Sequence, residues 1–105
     1  MSQRDLSNHV VAELVEAINS GDRDAFLAIL TPDATLTDDG SPRSVAEWID
    51  REIFSAHGHL TVEGEDNHGL RVLARYRNDT WGEMLTFWNF GMTGGKISRI
   101  DTGQA

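Results

Sequence analysis

A chain of 105 residues with 17 acids against 9 bases carries a formal charge of −8. That size makes one domain, residues 1–105, with one core and room for one pocket, and the charge argues against nucleic acid, whose binding draws on phosphate neutralisation, and against an anionic membrane surface. Cysteine is absent, which excludes disulfides, thiolate metal sites and cysteine nucleophiles.

The opening Met1-Ser2-Gln3-Arg4-Asp5 lacks the apolar stretch of a signal peptide. No apolar run reaches the roughly 20 residues that span a bilayer. The cytoplasm is the expected location.

Leu6, Val10, Val11, Leu14, Val15 and Ile18 recur at helical spacing and predict a first helix. Ser2 to Asp5 has capping-box spacing, and Ser7 is a second possible start. Asn19-Ser20-Gly21 ends the helix, because glycine tolerates the left-handed conformation beyond a helix end. Asp22 caps a second helix, whose buried side is Phe26, Leu27 and Leu30 and which Pro32 stops. Ala34 to Thr37 alternates like a short strand, and Asp38-Asp39-Gly40-Ser41-Pro42 is dense in turn formers. Ser44-Val45-Ala46-Glu47 then matches a capping box ahead of a third helix with Val45, Trp48, Ile49 and Ile53 on its apolar face. His57-Gly58 closes it.

From Leu60 the period changes to two. Leu60 and Val62 alternate with polar residues, and Asp66 to Gly69 reads as a hairpin loop. Leu70, Val72, Ala74 and Tyr76 alternate with Arg71, Leu73, Arg75 and Arg77. After a turn at 78–80, Trp81 to Met92 forms the longest strand, Thr93 to Lys96 turns back, and Ile97 to Thr102 closes the chain. Consecutive hairpins predict an antiparallel sheet. Helices grouped ahead of strands predict an α+β fold with helices on one sheet face.

The order helix, Asn19-Ser20-Gly21-Asp22, helix, Pro32-Asp33-Ala34-Thr35-Leu36-Thr37-Asp38, Ser41-Pro42-Arg43-Ser44, helix and meander resembles the nuclear transport factor 2-like superfamily. The likeness covers essentially the whole chain. Gly21 to Ser44 is most similar to ketosteroid isomerases and SnoaL-like polyketide cyclases. The resemblance implies a cone: three N-terminal helices packed on a curved antiparallel sheet around an apolar pocket. The family includes isomerases, dehydratases, cyclases, epoxide hydrolases and non-catalytic binding proteins, and many members dimerise through the outer sheet face.

Parity bears on Asp38 independently. Period two puts Ala34, Leu36 and Asp38 on one face. With Leu36 in the core, Asp38 points inward and Asp39 outward, unless the turn starts early. The resemblance implies the same residue, since Asp38 falls where ketosteroid isomerases carry their proton-moving aspartate. A carboxylate in an apolar pocket can act as general base or acid toward a bound carbon acid. The competing role is that of a turn aspartate bonding its own backbone. The rest of the isomerase site does not carry over. The family's helix tyrosine corresponds to Leu14, and its protonated acid on the late strand falls at Thr86, Phe87 or Trp88. Without oxyanion donors, a base lacks what is usually the largest catalytic contribution.

Met84, Thr86, Trp88, Phe90 and Met92 share the strand face that should look into the cone. The expected pocket walls are Leu14, Leu36, Trp48, Met84, Thr86, Trp88 and Phe90. Leu85 and Phe87 fall on the opposite face, as an apolar patch that suggests an antiparallel homodimer. His57 and His59 could grip a metal if they shared a strand face, but no third ligand is spaced for it. Either could instead serve as a pocket acid-base. Arg71, Arg75 and Arg77 make a basic stripe that Glu63 and Glu65 can pair across strands. No Walker loop, dinucleotide fingerprint or nucleophile elbow occurs, and no cofactor or metal is expected.

Three functions fit this pattern. One is an isomerase, lyase or cyclase acting on a small apolar carbonyl-type molecule with Asp38 as proton shuttle. The second is a non-catalytic module that binds a small ligand or a protein. The third is a dimer with a filled cone.

Overall fold

The structure, a computed structural model, describes residues 6–105. Helix α1 (His9–Ser20) turns its apolar stripe inward, with Val11, Leu14, Val15 and Ile18 all buried. Its N-cap is Asn8, whose side-chain oxygen accepts from the Val10 and Val11 amides at 2.9 and 3.1 Å. The helix therefore starts just after Ser7, and the Ser2–Asp5 box lies outside the described residues. Gly21 adopts φ 70° beyond the C-terminus, the left-handed geometry that glycine permits. Asp22 caps the short α2 (Arg23–Ala28) through the Ala25 amide at 3.0 Å.

Strand β1 (Leu30–Asp38) starts four residues ahead of the expected segment and contains Pro32, so α2 ends before the proline. Strand β2 (Ser41–Arg43) returns as a short hairpin. Helix α3 (Val45–Ile49) follows, with Ser44 as N-cap but no side-chain capping bond. It runs into a π-helical segment (Asp50–Phe54) that the apolar period did not separate from an α-helix. Its widened bonds include Ser55 N–H to Asp50 C=O, at 2.8 Å.

Strands β3 (His59–Asp66), β4 (Arg71–Asn78), β5 (Gly82–Thr93) and β6 (Lys96–Gln104) complete one sheet in the order β2-β1-β6-β5-β4-β3. The fold is α+β with a six-stranded sheet. It departs from the expected one in two respects. The sheet is mixed, because β1 lies parallel to β6 and only the other pairings are antiparallel. The helices do not all precede the strands either, since β1 and β2 come between α2 and α3.

Parallel pairing follows from the connection. The chain between β1 and β6 includes a helix and four further strands, so no hairpin forces them antiparallel. Alternation holds along the long strands: Val72, Ala74, Tyr76 and Asn78 are buried on β4, as are Thr86, Trp88 and Phe90 on β5. Helix α1 is tied to β3 by Asn19, whose amide donates to the Leu60 carbonyl at 3.0 Å and accepts from the Leu60 N–H at 2.7 Å. Among the described residues, no helix is long and apolar enough to cross a membrane.

Candidate functional site

A cavity of about 340 Å³ opens where the end of β1 meets α3 and the inner faces of β4, β5 and β6. Asp38, the last residue of β1, reaches it on the same face as buried Leu36. Asp38 Oδ2 accepts from the Trp48 indole N–H at 2.9 Å. Its partner is thus a helix side chain ten positions away, not its own turn. The other oxygen has no hydrogen-bond partner among the described residues.

The turn chemistry falls to Asp39 instead. This residue adopts φ 48°, a left-handed conformation that aspartate tolerates better than most residues. Its N–H donates to the Thr102 carbonyl at 2.9 Å, and its Oδ1 accepts from the Gln104 N–H at 3.1 Å. Asp39 borders the cavity through its place at the end of the strand, but its carboxylate lies over Gly103 on the side of the Phe87 ring, opposite to Asp38. Gly103 makes the approach possible, because a Cβ there would collide with the Asp39 carboxylate and press on the Phe87 ring.

The apolar walls are aromatic. Trp48 and Tyr76 each meet Trp88 edge to face, with ring centroids 6.2 and 6.1 Å apart. Met84 lies beside them, and Trp81, 62% exposed, stands at the mouth. Trp81 is held by Glu52, whose Oε2 accepts its indole N–H at 2.9 Å. The Glu52 backbone carbonyl accepts from the Tyr76 hydroxyl and, at 2.8 Å, from the Asn78 amide. The π-helical segment thus presents one residue to both the wall and the mouth. Burial pushes the Tyr76 phenol up to about 12, with the nearby Glu52 charge acting in the same direction and the Asn78 hydrogen bond opposing it.

Most polar groups of the wall are already engaged. The Trp88 indole N–H donates to Thr86 Oγ1 at 2.9 Å, and the Thr86 hydroxyl donates to the Ala74 carbonyl at 2.8 Å. The Thr102 hydroxyl donates to the Phe87 carbonyl at 2.8 Å. Arg43, exposed at the rim, has no ion pair among the described residues.

Solved structures share this architecture. A candidate polyketide cyclase from Sinorhizobium meliloti matches with a TM-score of 0.81 over 97% of this chain and 99% of its own, at 19% identity. A nuclear transport factor 2-like protein of unknown function from Cytophaga hutchinsonii matches with a TM-score of 0.75 over 100% and 91%, at 15% identity. The chain has the nuclear transport factor 2-like fold. A candidate ketosteroid isomerase from Kribbella flavida is similar in the same way, with a TM-score of 0.73 over 94% and 77% at 13% identity. No protein-family model matches the sequence, and no curated protein matches it.

Within this nuclear transport factor 2-like frame, the structure brings Asp38, Trp48, Met84 and Trp88 together at one cavity. It puts Leu14, Leu36, Thr86 and Phe90 elsewhere. Leu14 and Leu36 are fully buried between helix and sheet, Phe90 belongs to the same packed core, and Thr86 is enclosed by its own hydrogen bonds. Inward parity is a correct guide to which side of the sheet a residue faces. It cannot separate the part of that side covered by helices from the part left open.

Periodicity does not assign Arg43, Glu52, Tyr76, Trp81, Thr102 and Gln104 to the wall, where the structure places them. For Tyr76 the signal was present in the alternation of β4. For Glu52 it was absent, since only the π-helical turn brings it to the mouth.

The histidines take other places. His57 sits at φ 56° with Nδ1 2.6 Å from Asp79 Oδ2, and it is exposed. Only His59 of the pair lies in β3, so the two do not share a strand face. Neither lines the Asp38 cavity. Among the described residues, no group of three potential ligands could hold a metal ion. The basic stripe is partly paired, Arg75 with Glu63 at 2.6 Å. Glu65 instead takes the Ser7 hydroxyl and amide, which hold its carboxyl below the usual glutamate range.

Proposed function

We propose that this protein binds a small apolar carbonyl-type molecule in the aromatic cavity and uses Asp38 as a general base, in an isomerase, lyase or cyclase reaction. The observation that carries this reading is the Asp38 carboxylate. One oxygen is fixed by the Trp48 indole at 2.9 Å and the other is free, beside tryptophan walls. A carboxylate so held is oriented before substrate arrives, which lowers the cost of reaching a reactive geometry.

In the proposed step the free oxygen takes a proton from the carbon next to a carbonyl. The C–H bond breaks, an O–H bond forms, and the electron pair moves to the carbonyl oxygen as an enolate. The groups free to stabilise that oxygen are the Arg43 guanidinium and the Gln104 side-chain amide at the rim. Incubating the protein in D₂O with a panel of cyclic and aryl ketones tests the reading. Deuterium should enter at the carbon next to the carbonyl, and Asp38→Asn should slow it by about a hundredfold or more. A rate unchanged in Asp38→Asn would end the proposal.

A second reading, a non-catalytic ligand-binding module, is favoured by one observation. The hydroxyls of Tyr76 and Thr102 and the indole of Trp88 all donate inside the protein, leaving no buried donor of the cavity wall free for an oxyanion among the described residues. Under that reading, ligands bind the cavity and no exchange occurs.

The outer sheet face belongs to the same proposal. Leu73 and Leu85 are exposed there beside half-buried Phe87, on adjacent strands. Arg75 and Glu83 flank this patch. A two-fold-related second copy would cover the apolar centre and could set the basic stripe against the acids.

A further inference from the structure

A second cavity, of about 410 Å³, lies where the end of α2, the start of β1 and the start of α3 meet. It shares no lining residue with the Asp38 cavity. Its walls follow from the way β1 enters the sheet. Leu30 pairs with Ile97 and Thr35 with Arg99, so Thr31, Pro32, Asp33 and Ala34 stand against Ser98 alone. Pro32 has no N–H to give to a ladder, and surplus residues bulge from the sheet. The bulge, Leu27 and Val45 enclose a largely apolar space.

Two polar groups of this wall are unused. Thr31 Oγ1 is buried and has no hydrogen-bond partner, the one such side-chain atom among the described residues. A buried hydroxyl left unpaired works against the fold. It also has no bond to lose, so turning it toward the cavity costs only a change between staggered rotamers. Lys96 is the only lysine of the chain. It lines the cavity, is exposed, and makes no ion pair among the described residues. Asp33 in the bulge and Glu47 in α3 are exposed and are not part of the wall, which holds no carboxylate. A chain of net charge −8 thus sets its one lysine ammonium beside an apolar hollow free of acids.

We propose that this cavity is a second ligand site, which takes a small amphiphilic anion: a carboxylate held by the Lys96 ammonium and the Thr31 hydroxyl, with a short hydrocarbon chain between Leu27, Ala34 and Val45. A carboxylate accepts from both donors at once, and a hydrogen bond to an ionised acceptor is stronger than one between neutral groups. The site does not depend on the chemistry of Asp38.

The single lysine makes the test direct. In the full chain carrying ¹³C-labelled lysine and valine, one ε-methylene signal reports Lys96 and the Val45 methyls report the apolar wall. The three indole N–H signals report the Asp38 cavity, since all three tryptophans line it. Hexanoate, hexanol and hexylammonium are titrated separately. Hexanoate should move the Lys96 and Val45 signals to saturation and bind about fivefold more tightly than hexanol, with hexylammonium weakest. Lys96→Gln should bring hexanoate down to the affinity of hexanol and leave hexanol unchanged. Thr31→Val removes the unpartnered hydroxyl and keeps the side chain's shape. It should raise the melting temperature and weaken hexanoate several-fold, again without touching hexanol. A Thr31 of purely structural value would instead lose stability on substitution and leave the ratio of affinities as it was.

The ratio in the unmodified protein is decisive by itself, so the test survives a variant that fails to fold. Hexanol binding as tightly as hexanoate would overturn the proposal. So would shifts confined to the indoles, which would seat hexanoate beside Asp38, or the lack of a saturable shift at Lys96 and Val45 with any probe. None of these results bears on deuterium exchange by Asp38.

Discussion

The Trp48 indole N–H and Asp38 Oδ2 lie 2.9 Å apart and join the first turns of α3 to the end of β1. Trp48 is almost wholly buried and Asp38 half-buried. A hydrogen bond to a charged acceptor is worth about 1.5–3 kcal/mol, and access of water to Asp38 discounts that figure. Trp48→Phe keeps an aromatic ring against Trp88 and removes the donor. It should destabilise the protein by about 1–2 kcal/mol, read as a lower urea midpoint with an unchanged slope. If Asp38 is the base, Trp48→Phe should also lower the rate of deuterium exchange, less severely than Asp38→Asn. A variant of wild-type stability would mean the bond contributes nothing to the fold.

Asn19 makes two bonds to one residue. Its side chain donates to the Leu60 carbonyl and accepts from the Leu60 N–H, completing the backbone pairing of edge strand β3 where no further strand lies. Asn19→Ala leaves both Leu60 groups without this partner, and an unmade buried bond costs about 1–3 kcal/mol. The expected result is a melting temperature lowered by roughly 5–15 °C for a domain of this size, with faster amide exchange at Leu60. Asn19→Asp keeps the acceptor and loses the donor, so it should fall between the two. Equal stability of Asn19→Ala and wild type would show that water replaces the clamp.

Tyr76 offers a titration free of overlap, because the chain has one tyrosine. Burial is the main cause that raises its phenol from 10.0 to about 12. Between those values the unfolded chain loses the proton and the folded one keeps it. The unfolded state therefore binds fewer protons there, and stability falls as pH rises through the window. Phenolate absorbance should show no ionisation at pH 10 in the folded protein and should rise together with alkaline unfolding. Tyr76→Phe removes the phenol, so it should flatten the stability profile above pH 10. An ordinary midpoint near 10 in a protein still folded would contradict the buried hydroxyl.

The particular residues show what periodicity can deliver. The helical stripe from Val10 to Ile18 and the alternation of Val72, Ala74 and Tyr76 are direct consequences of one apolar face, and both appear as expected. Asp38 points inward for the same reason. What parity could not supply was non-local. The parallel pairing of β1 with β6 joins segments about sixty residues apart. The placement of Leu14 and Leu36 in the core depends on which helix covers which stretch of sheet. Glu52 and Trp81 meet only through a π-helical turn, a hydrogen-bond choice that leaves no mark on the spacing of Trp48, Ile49 and Ile53.

Ser7 and Glu65 give the acid side of the pH profile. The Ser7 hydroxyl is the main cause that lowers the Glu65 carboxyl, followed by the Ser7 amide. A depressed carboxyl binds fewer protons folded than unfolded, so its contribution is present above the ordinary glutamate value of about 4.3 and is lost as pH falls through the folded value. In Ser7→Ala the Glu65 carboxyl should titrate closer to the ordinary range, as followed by its side-chain ¹³C shift. The stability difference between Ser7→Ala and wild type should shrink as the solution is acidified. An unmoved Glu65 midpoint would assign the depression to the backbone amide alone.

The proposed second copy on the outer sheet face predicts a change in mass. Leu73 and Leu85 are 39% and 36% exposed, and they bracket Phe87 on neighbouring strands. In a two-fold interface each residue recurs on the partner's surface, so one substitution alters the contact twice. Leu73→Glu places a carboxylate beside its symmetry mate in a desolvated centre. It should convert a dimer to a monomer in sedimentation equilibrium at micromolar concentration. Leu73 is already partly exposed in the isolated chain, so the monomer should keep its circular dichroism, and surface changes of this kind cost less than about 0.5 kcal/mol. A wild-type chain that sediments as a monomer across the whole concentration range would remove the interface, without touching the Asp38 cavity on the opposite face of the sheet.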